Sequence, residues 1–200
     1  IDPLDGTTNF IHGFPHYSIS IALRQRGQIN HAVIYDPVRN ELFTASRGGG
    51  AFLNDRRMRV SSQLKFPDAL IGARWPGSVG PDETSAPRFL EMARGCAGVR
   101  RTGSAVLDLA YVAVGRLDGF CGLGLKQWDM AAASLMVLEA GGLIGDLEGE
   151  QSWMESGNVI AATPKIFTQM LGMVQGATPA MDFLSARFAG VPTVGTCLLP

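Results

Sequence analysis

The stretch WDMAAASLMVLEAGG, residues 128–142, constrains the fold more than any other part of the sequence. An apolar run followed by the Gly141-Gly142 pair predicts a helix that ends at those glycines. Its apolar side chains, at 130–133 and 135–138, fall on nearly every face of that helix. Neighbouring elements must therefore cover it on all sides, which predicts a layered core around an enclosed helix.

The rest of the chain supplies strands and helices for such layers. Runs rich in β-forming residues at 17–24 and 29–37 flank the turn sequence QRGQ and predict an antiparallel pair, which residues 41–54 continue as a meander. Farther along, short strands alternate with helices predicted over 80–95 and 104–114. This order is typical of a mixed α/β fold.

Composition and charge exclude several classes of function. With 200 residues, 46% of them hydrophobic, the chain can bury a substantial core. The apolar periodicity of residues 176–200 is weak, which predicts an irregular C-terminal tail. Seventeen basic and eighteen acidic residues give a net charge of −1 without a basic block, so direct nucleic-acid binding is not expected. No apolar run predicts a membrane span, and three scattered cysteines fit a reducing, cytoplasmic compartment.

The first ten residues, IDPLDGTTNF, place Asp2 and Asp5 close together, and no Lys or Arg precedes Arg24. Gly6 permits a sharp turn, and the two threonines after it suit the start of a short helix. Two carboxylates this close raise each other's pKa unless a positive charge lies between them. A divalent cation, chiefly Mg²⁺, would fit there, and so would a turn in which both aspartates only cap backbone donors.

Asp129 raises the same question at the start of the enclosed helix. The helix dipole stabilises a carboxylate there by about 0.3–1 kcal/mol, less than the several kcal/mol that full burial of a charge costs. Asp129 must therefore contact water, pair with a cation or bind a metal. From the helix alone, the favoured interpretation is that Asp129 caps the helix in contact with water.

Several familiar phosphate-binding and cation-binding loops are excluded by the sequence. No P-loop pattern is present, and GLGLKQ departs from the dinucleotide-binding pattern at Gln127. An EF-hand loop starting at Asp2 would have Leu4 at a ligand position. The remaining candidate is carboxylate, metal and water chemistry.

Two segments, DPLDGTTNF and WDMAAASLMVLEAGG, resemble the two signature motifs of the inositol monophosphatase family in order and separation. Members of this family are magnesium-dependent, lithium-sensitive phosphomonoesterases of the sugar phosphatase superfamily. The intervening RRTGSAVLDLAYVAVGRLDGF is also similar to bacterial members. The resemblance implies one α/β domain over residues 1–175, folded as an αβαβα sandwich, and a homodimer.

The resemblance also implies a site with two or three Mg²⁺ ions, for which Mn²⁺ could substitute. Asp2 would bridge two ions, the backbone carbonyl of Leu4 would bind one of them, and Asp5 and Asp129 would hold the second. The Thr7 hydroxyl would help to orient the attacking water, which makes Asp2, Asp5, Thr7 and Asp129 the expected catalytic residues. The expected substrate-binding residues are Asp5, Gly6, Thr7, Gly103, Ser104, Ala105 and Asp129.

Two features depart from the family pattern. The family carries an upstream Glu-Glu segment with a metal-binding glutamate, together with an N-terminal helix pair, and this sequence contains neither. We therefore expect the sandwich to be incomplete at its N-terminus. Members that resemble the inositol-specific enzymes also have a glutamate at the position of Gly122, where it accepts hydrogen bonds from sugar hydroxyls. Its replacement widens the range of expected substrates.

The leading hypothesis is a Mg²⁺-dependent phosphomonoesterase that hydrolyses inositol 1-phosphate or a related polyol phosphate. A bisphosphate-specific relative, of the nucleotide 3′-phosphatase or fructose 1,6-bisphosphatase type, is the first alternative. It would need additional basic residues around the pocket, and the segments LKQW and GVRRTG offer few. The second alternative is a non-catalytic member that serves as a regulatory or binding partner.

Overall fold

The computed structural model describes residues 1–74 and 92–175, which form two β-sheets with helices between and beside them. The predicted tail, 176–200, lies outside these ranges, as does most of the helix predicted over 80–95. The mixed α/β class expected from the sequence is confirmed.

The first sheet is an antiparallel meander whose strand order follows the chain. Its six strands are β1 (Asp2–Asp5), β2 (Ser18–Gln25), β3 (Gln28–Asp36), β4 (Glu41–Ser46), β5 (Gly50–Leu53) and β6 (Arg56–Arg57). Arg26 and Gly27 both adopt positive φ at the tip of the β2–β3 hairpin, which the QRGQ turn predicted. The antiparallel meander expected from the sequence is therefore confirmed.

The second sheet has five strands in the order β10-β11-β9-β7-β8. These are β7 (Leu70–Arg74), β8 (Gly98–Arg100), β9 (Gly119–Gly122), β10 (Leu143–Gly145) and β11 (Val159–Ala162). Strand β7 is parallel to both of its neighbours, with Arg74 opposite Gly122 of β9. Because parallel strands end at the same edge of a sheet, the last residues of β7 and β9 lie side by side.

The helices complete the layers. They are α1 (Thr7–Ile11), α2 (Ala105–Ala113), α3 (Gln127–Glu139), α4 (Trp153–Ser156) and α5 (Pro164–Gln175). Helix α3 contacts the first sheet and α2, while α2 contacts both sheets, so this pair lies between them. Helix α5 packs on the opposite side of the second sheet, against β10 and β11. The described layers thus run sheet, helices, sheet, helix, in agreement with the last four layers of the expected sandwich.

Helix α3 is enclosed as its sequence predicted. Met130, Leu135, Met136 and Val137 are all buried in the cluster between the sheets. Only the ends of the helix carry large exposed apolar side chains, among them Leu138. Within residues 1–74 and 92–175, no helix combines the length and the apolar character needed to cross a bilayer.

Candidate metal centre

An irregularity in β1 turns both motif aspartates to the same side of the sheet. Asp2 pairs with Ser20 and Asp5 with Ser18, and the register shifts between the two pairs. Residues three apart in a regular strand point to opposite faces, whereas a bulge changes that alternation. Both aspartates are consequently buried on the side that faces the interior.

The glycine after Asp5 turns the chain sharply into α1. Gly6 has φ +83, and a Cβ atom there would lie 2.9 Å from the backbone oxygen of His16, so a side chain would meet both strain and a clash. On the far side of this turn, the Thr7 hydroxyl donates a hydrogen bond to the Leu4 carbonyl oxygen at 2.9 Å. The turn therefore places Leu4 and Thr7 together beside the aspartates.

Asp5 is fixed by the start of α2. The Ser104 hydroxyl donates a hydrogen bond to Oδ2 of Asp5, and the Val106 N–H donates to the same oxygen at 3.2 Å. Ser104 Oγ also accepts the N–H of Leu107 at 3.2 Å, which makes Ser104 the N-cap of α2. Ser104 and Ala105 are fully buried, so they stand behind Asp5 and hold it in place.

Asp129 joins the other two aspartates from the first turn of α3. Its Oδ2 accepts the backbone N–H of Lys126 at 2.8 Å. Asp2, Asp5 and Asp129 each offer a carboxylate oxygen, and these three oxygens lie within 4.8 Å of one another. The fold therefore brings the two aspartates of the first motif together with Asp129 of the second motif.

The electrostatics of the cluster suit a cation. Burial raises the pKa of Asp5 to about 6, an effect that the Ser104 hydrogen bond opposes and that the charges of Asp2 and Asp129 increase. Burial likewise raises the pKa of Asp129, against the Lys126 N–H and the charge of Arg74. A divalent cation among the carboxylates would remove their repulsion, and carboxylate and carbonyl oxygens are the ligands that Mg²⁺ prefers. The residues present therefore fit such an ion.

The cluster opens into a cavity of about 250 Å³, which suits a small ester better than a large ligand. The cavity is lined by Asp2, Leu4, Asp5, Gly6, Thr7, Thr8, Arg74, Gly103, Trp128 and Asp129. Ser104 and Ala105, expected at the substrate, lie behind this wall, and their substrate role stays a prediction.

Three of the lining residues were missed by the sequence analysis: Thr8, Arg74 and Trp128. Thr8 and Trp128 adjoin predicted site residues, so their neighbours could have identified them. For Arg74 the sequence offers a weaker signal, a charged residue at the end of an apolar strand. In sheets with parallel strands, such ends commonly face ligands.

Carboxylates from β1 and from the start of α3 thus meet beside a small cavity in a layered α/β protein, and their arrangement fits a divalent cation. The sequence pattern of the inositol monophosphatase family matches residues 1–177, and the chain belongs to that family. The resemblance seen in the two motifs is thereby confirmed.

Individual relatives carry two kinds of name. The chain is 48% identical over 182 residues to "Nus factor SuhB" of Pseudomonas aeruginosa, covering 90% of this chain and 67% of that protein. It is 47% identical over 176 residues to "Inositol-1-monophosphatase" of Mesorhizobium japonicum, covering 88% and 66% of the two chains. The chain thus spans about two thirds of the length of these curated relatives.

Solved structures agree with the fold. Extragenic suppressor protein suhB from Bartonella henselae superposes with a TM-score of 0.82 at 46% identity, covering 87% of this chain and 70% of that one. Inositol monophosphatase from Anabaena superposes with a TM-score of 0.84 at 35% identity, covering 88% and 70%.

Proposed function

We propose that this chain provides the active site of a Mg²⁺-dependent phosphomonoesterase, which hydrolyses inositol 1-phosphate or a related polyol phosphate by attack of water. The observation that carries the proposal is the convergence of Asp2, Asp5 and Asp129 within 4.8 Å in a cavity sized for a small ester. Membership of the inositol monophosphatase family supports the reaction class.

In this proposal the three aspartates and the Leu4 carbonyl hold the metal ions. As the resemblance implies, Asp2 would contact two ions, and Asp5 and Asp129 would hold the second. Bound Mg²⁺ would lower the pKa of a water molecule and neutralise the phosphoryl oxygens and the leaving alkoxide. Ser104 and Val106 would keep the Asp5 carboxylate aimed at its ion, because both donate to Oδ2.

Thr7 and Gly6 would orient the water and the phosphate. The Thr7 hydroxyl donates its proton to the Leu4 carbonyl, so the lone pairs of its oxygen can accept a hydrogen bond from the attacking water. The first N–H groups of a helix lack intrahelical partners, and those near Gly6 and Thr7 would contact the phosphoryl oxygens. Gly103 and the exposed side of Asp129 would meet the polyol.

A phosphate-release assay with matched variants tests this function. We expect the purified chain to release phosphate from inositol 1-phosphate with Mg²⁺ and to stop when the metal is chelated. Asp129→Asn should reduce the rate by about 100-fold or more, because it removes a charged ligand. Asp68→Asn, at an exposed carboxylate outside the cavity, should leave the rate unchanged.

Calorimetry with Mg²⁺ separates metal binding from turnover. Uptake of Mg²⁺ that Asp129→Asn weakens supports the site, whereas a folded chain that takes up no Mg²⁺ or Mn²⁺ would refute it.

On the basis of the family we also propose lithium inhibition, a homodimer and a cytoplasmic location. Light scattering in solution reports the dimer directly.

The name of several relatives favours a second candidate, a regulatory or binding role. Relatives at 48% identity are called Nus factor SuhB. In that case the chain would bind Mg²⁺ but release no phosphate from inositol 1-phosphate or from bisphosphates. The same assay therefore distinguishes the two candidates.

A further inference from the structure

We propose that Arg74 makes this site select phosphate esters whose alcohol carries a second anionic group, either a phosphate or a carboxylate. The inference rests on the proposed phosphatase function and specifies its substrate class. It assigns a specificity-determining role to one residue of the cavity wall.

Arg74 reaches the cavity from a different sheet than the aspartate motif does. Asp2 and Asp5 belong to β1 of the first sheet, whereas Arg74 is the last residue of β7 in the second. All three line the same cavity. The cavity therefore combines a cluster of carboxylates with a guanidinium group that comes from the other sheet.

The strand position paired with Arg74 carries no side chain. The residue paired with Arg74 in β9 is Gly122. A Cβ atom at Gly122 would lie 2.7 Å from Leu125 Cδ1 and 2.8 Å from Phe120 Cε1, so a larger residue would require both to shift. A carboxylate is accordingly not available from this position to neutralise Arg74.

Among the described residues, Arg74 has no carboxylate partner within 4.0 Å. Within residues 1–74 and 92–175, the ion pairs closer than 4.0 Å are Arg24–Glu155, Arg39–Asp36 and Arg116–Glu41. Arg74 lines the cavity together with Asp129. Burial raises the pKa of Asp129 and of Asp108, and the Arg74 guanidinium opposes that rise in both. It is the one basic side chain among the described residues that line this cavity.

These charges divide the cavity into two binding regions. The carboxylates attract cations, and through them the phosphate that is to be hydrolysed. Arginine remains charged at all physiological pH values and presents several N–H donors in one plane, which suits a phosphate or a carboxylate group. In about 250 Å³, both regions are within reach of one small molecule that bears an anion at each end.

Binding measurements on matched ligand pairs test the inference without requiring turnover. Calorimetry with Ca²⁺ in place of Mg²⁺ would compare inositol 1,4-bisphosphate with inositol 1-phosphate, and 2-phosphoglycerate with glycerol 2-phosphate. We expect the chain to bind at least one doubly anionic member about 10- to 100-fold more tightly than its partner, the range of a charged hydrogen bond. Preference in the first pair alone identifies a phosphate, and preference in the second alone a carboxylate.

Variants assign that preference to Arg74. Arg74→Met should abolish the preference and leave the singly anionic ligands within about 2-fold, while Arg74→Lys should retain part of it. Arg56→Met, at an exposed position on β6, changes the net charge equally and should have no effect. Circular dichroism melting checks the fold, and Arg74→Gln replaces Arg74→Met if the latter does not fold.

The outcomes separate this inference from the proposed function. A wild-type chain without preference in either pair, or without binding of any member, overturns the inference. Equal weakening of both members by Arg74→Met also overturns it, because Arg74 would then serve the reacting phosphate or the fold alone. Phosphate release without a preference for doubly anionic ligands would support the proposed phosphatase and reject the role of Arg74. A preference for those ligands without phosphate release would support the role of Arg74 and reject the phosphatase.

Discussion

At the scale of single residues, Asp108 is a buried carboxylate next to the site. It lies in α2, where its Oδ1 accepts the Thr102 hydroxyl at 2.8 Å. Burial raises the pKa of Asp108 to about 7, while the Thr102 hydrogen bond opposes that rise. Between pH 3.8 and about pH 7, Asp108 is protonated in the folded chain, whereas in the unfolded chain it ionises above its ordinary pKa of 3.8. The stability that Asp108 contributes is therefore complete below pH 3.8 and is lost as the pH rises towards 7.

Asp108→Asn should remove this pH dependence. We expect the free energy of unfolding of the variant, relative to wild type, to increase by about 2 kcal/mol between pH 5 and pH 7.5, since one pKa unit corresponds to about 1.4 kcal/mol. Urea unfolding at the two pH values measures it. Asp68→Asn, at an exposed site, is the control and should follow wild type. A constant difference between Asp108→Asn and wild type would show that Asp108 does not titrate in this range.

At the scale of elements, Asn9 ties the aspartate segment to the loop before α2. Its Nδ2 donates to the backbone oxygens of His16 at 2.7 Å and of Thr102 at 2.9 Å. A Cβ atom at Gly103 would lie 2.8 Å from the Asn9 amide, so this contact requires a glycine. Together with the bonds from Ser104 to Asp5, Asn9 fixes how β1, α1 and α2 meet around the cavity.

Replacement of Asn9 should lower the stability of the chain by an amount that depends on the new side chain. Asn9→Ala should lower the free energy of unfolding by about 1–3 kcal/mol, because two partly buried carbonyl oxygens lose their donor. Asn9→Asp should cost more at pH 7, since a carboxylate would face those carbonyls. Thermal unfolding compares them with Asn30→Ala, which loses one exposed bond of 3.2 Å. If Asn9→Asp were as stable as Asn9→Ala, Asn9 would not stabilise the fold through its hydrogen bonds to these two carbonyl oxygens.

The elements also show what sequence could and could not predict. Local patterns identified the β2–β3 hairpin and helix α3, because a turn and an apolar run act over neighbouring residues. They also drew attention to Asp2, Asp5 and Asp129, but left a backbone cap and a bound cation open for each, and only the resemblance to the family implied a shared metal site. Arg74 was missed because the pairing of β7 with β9, which is set by the fold and not by any local pattern, brings it to the site.

At the scale of the whole molecule, α3 connects the two sheets and carries the site at its first turn. It packs against the first sheet, against α2 and against β10 of the second sheet, and α2 packs against the second sheet as well. Asp129 therefore takes its position from a helix that both halves of the core hold. The Glu139 carboxylate adds a link at the other end, accepting the N–H of Gly48 at 2.7 Å and of Gly50 at 2.9 Å. Stability and site geometry should consequently depend on the same buried residues.

Two leucines of α3 provide a matched test of that dependence. Leu135 is 2% exposed and Leu138 is 42% exposed, although both belong to the same helix. Leu135→Ala should lower the free energy of unfolding by about 2–5 kcal/mol, the range for a cavity in a core, and Leu138→Ala by less than about 1 kcal/mol. Urea unfolding measures both, and calorimetry should show weaker Mg²⁺ binding in Leu135→Ala alone. Equal losses for the two variants would mean that Leu138 is covered in solution, because only a buried leucine can cost as much as Leu135.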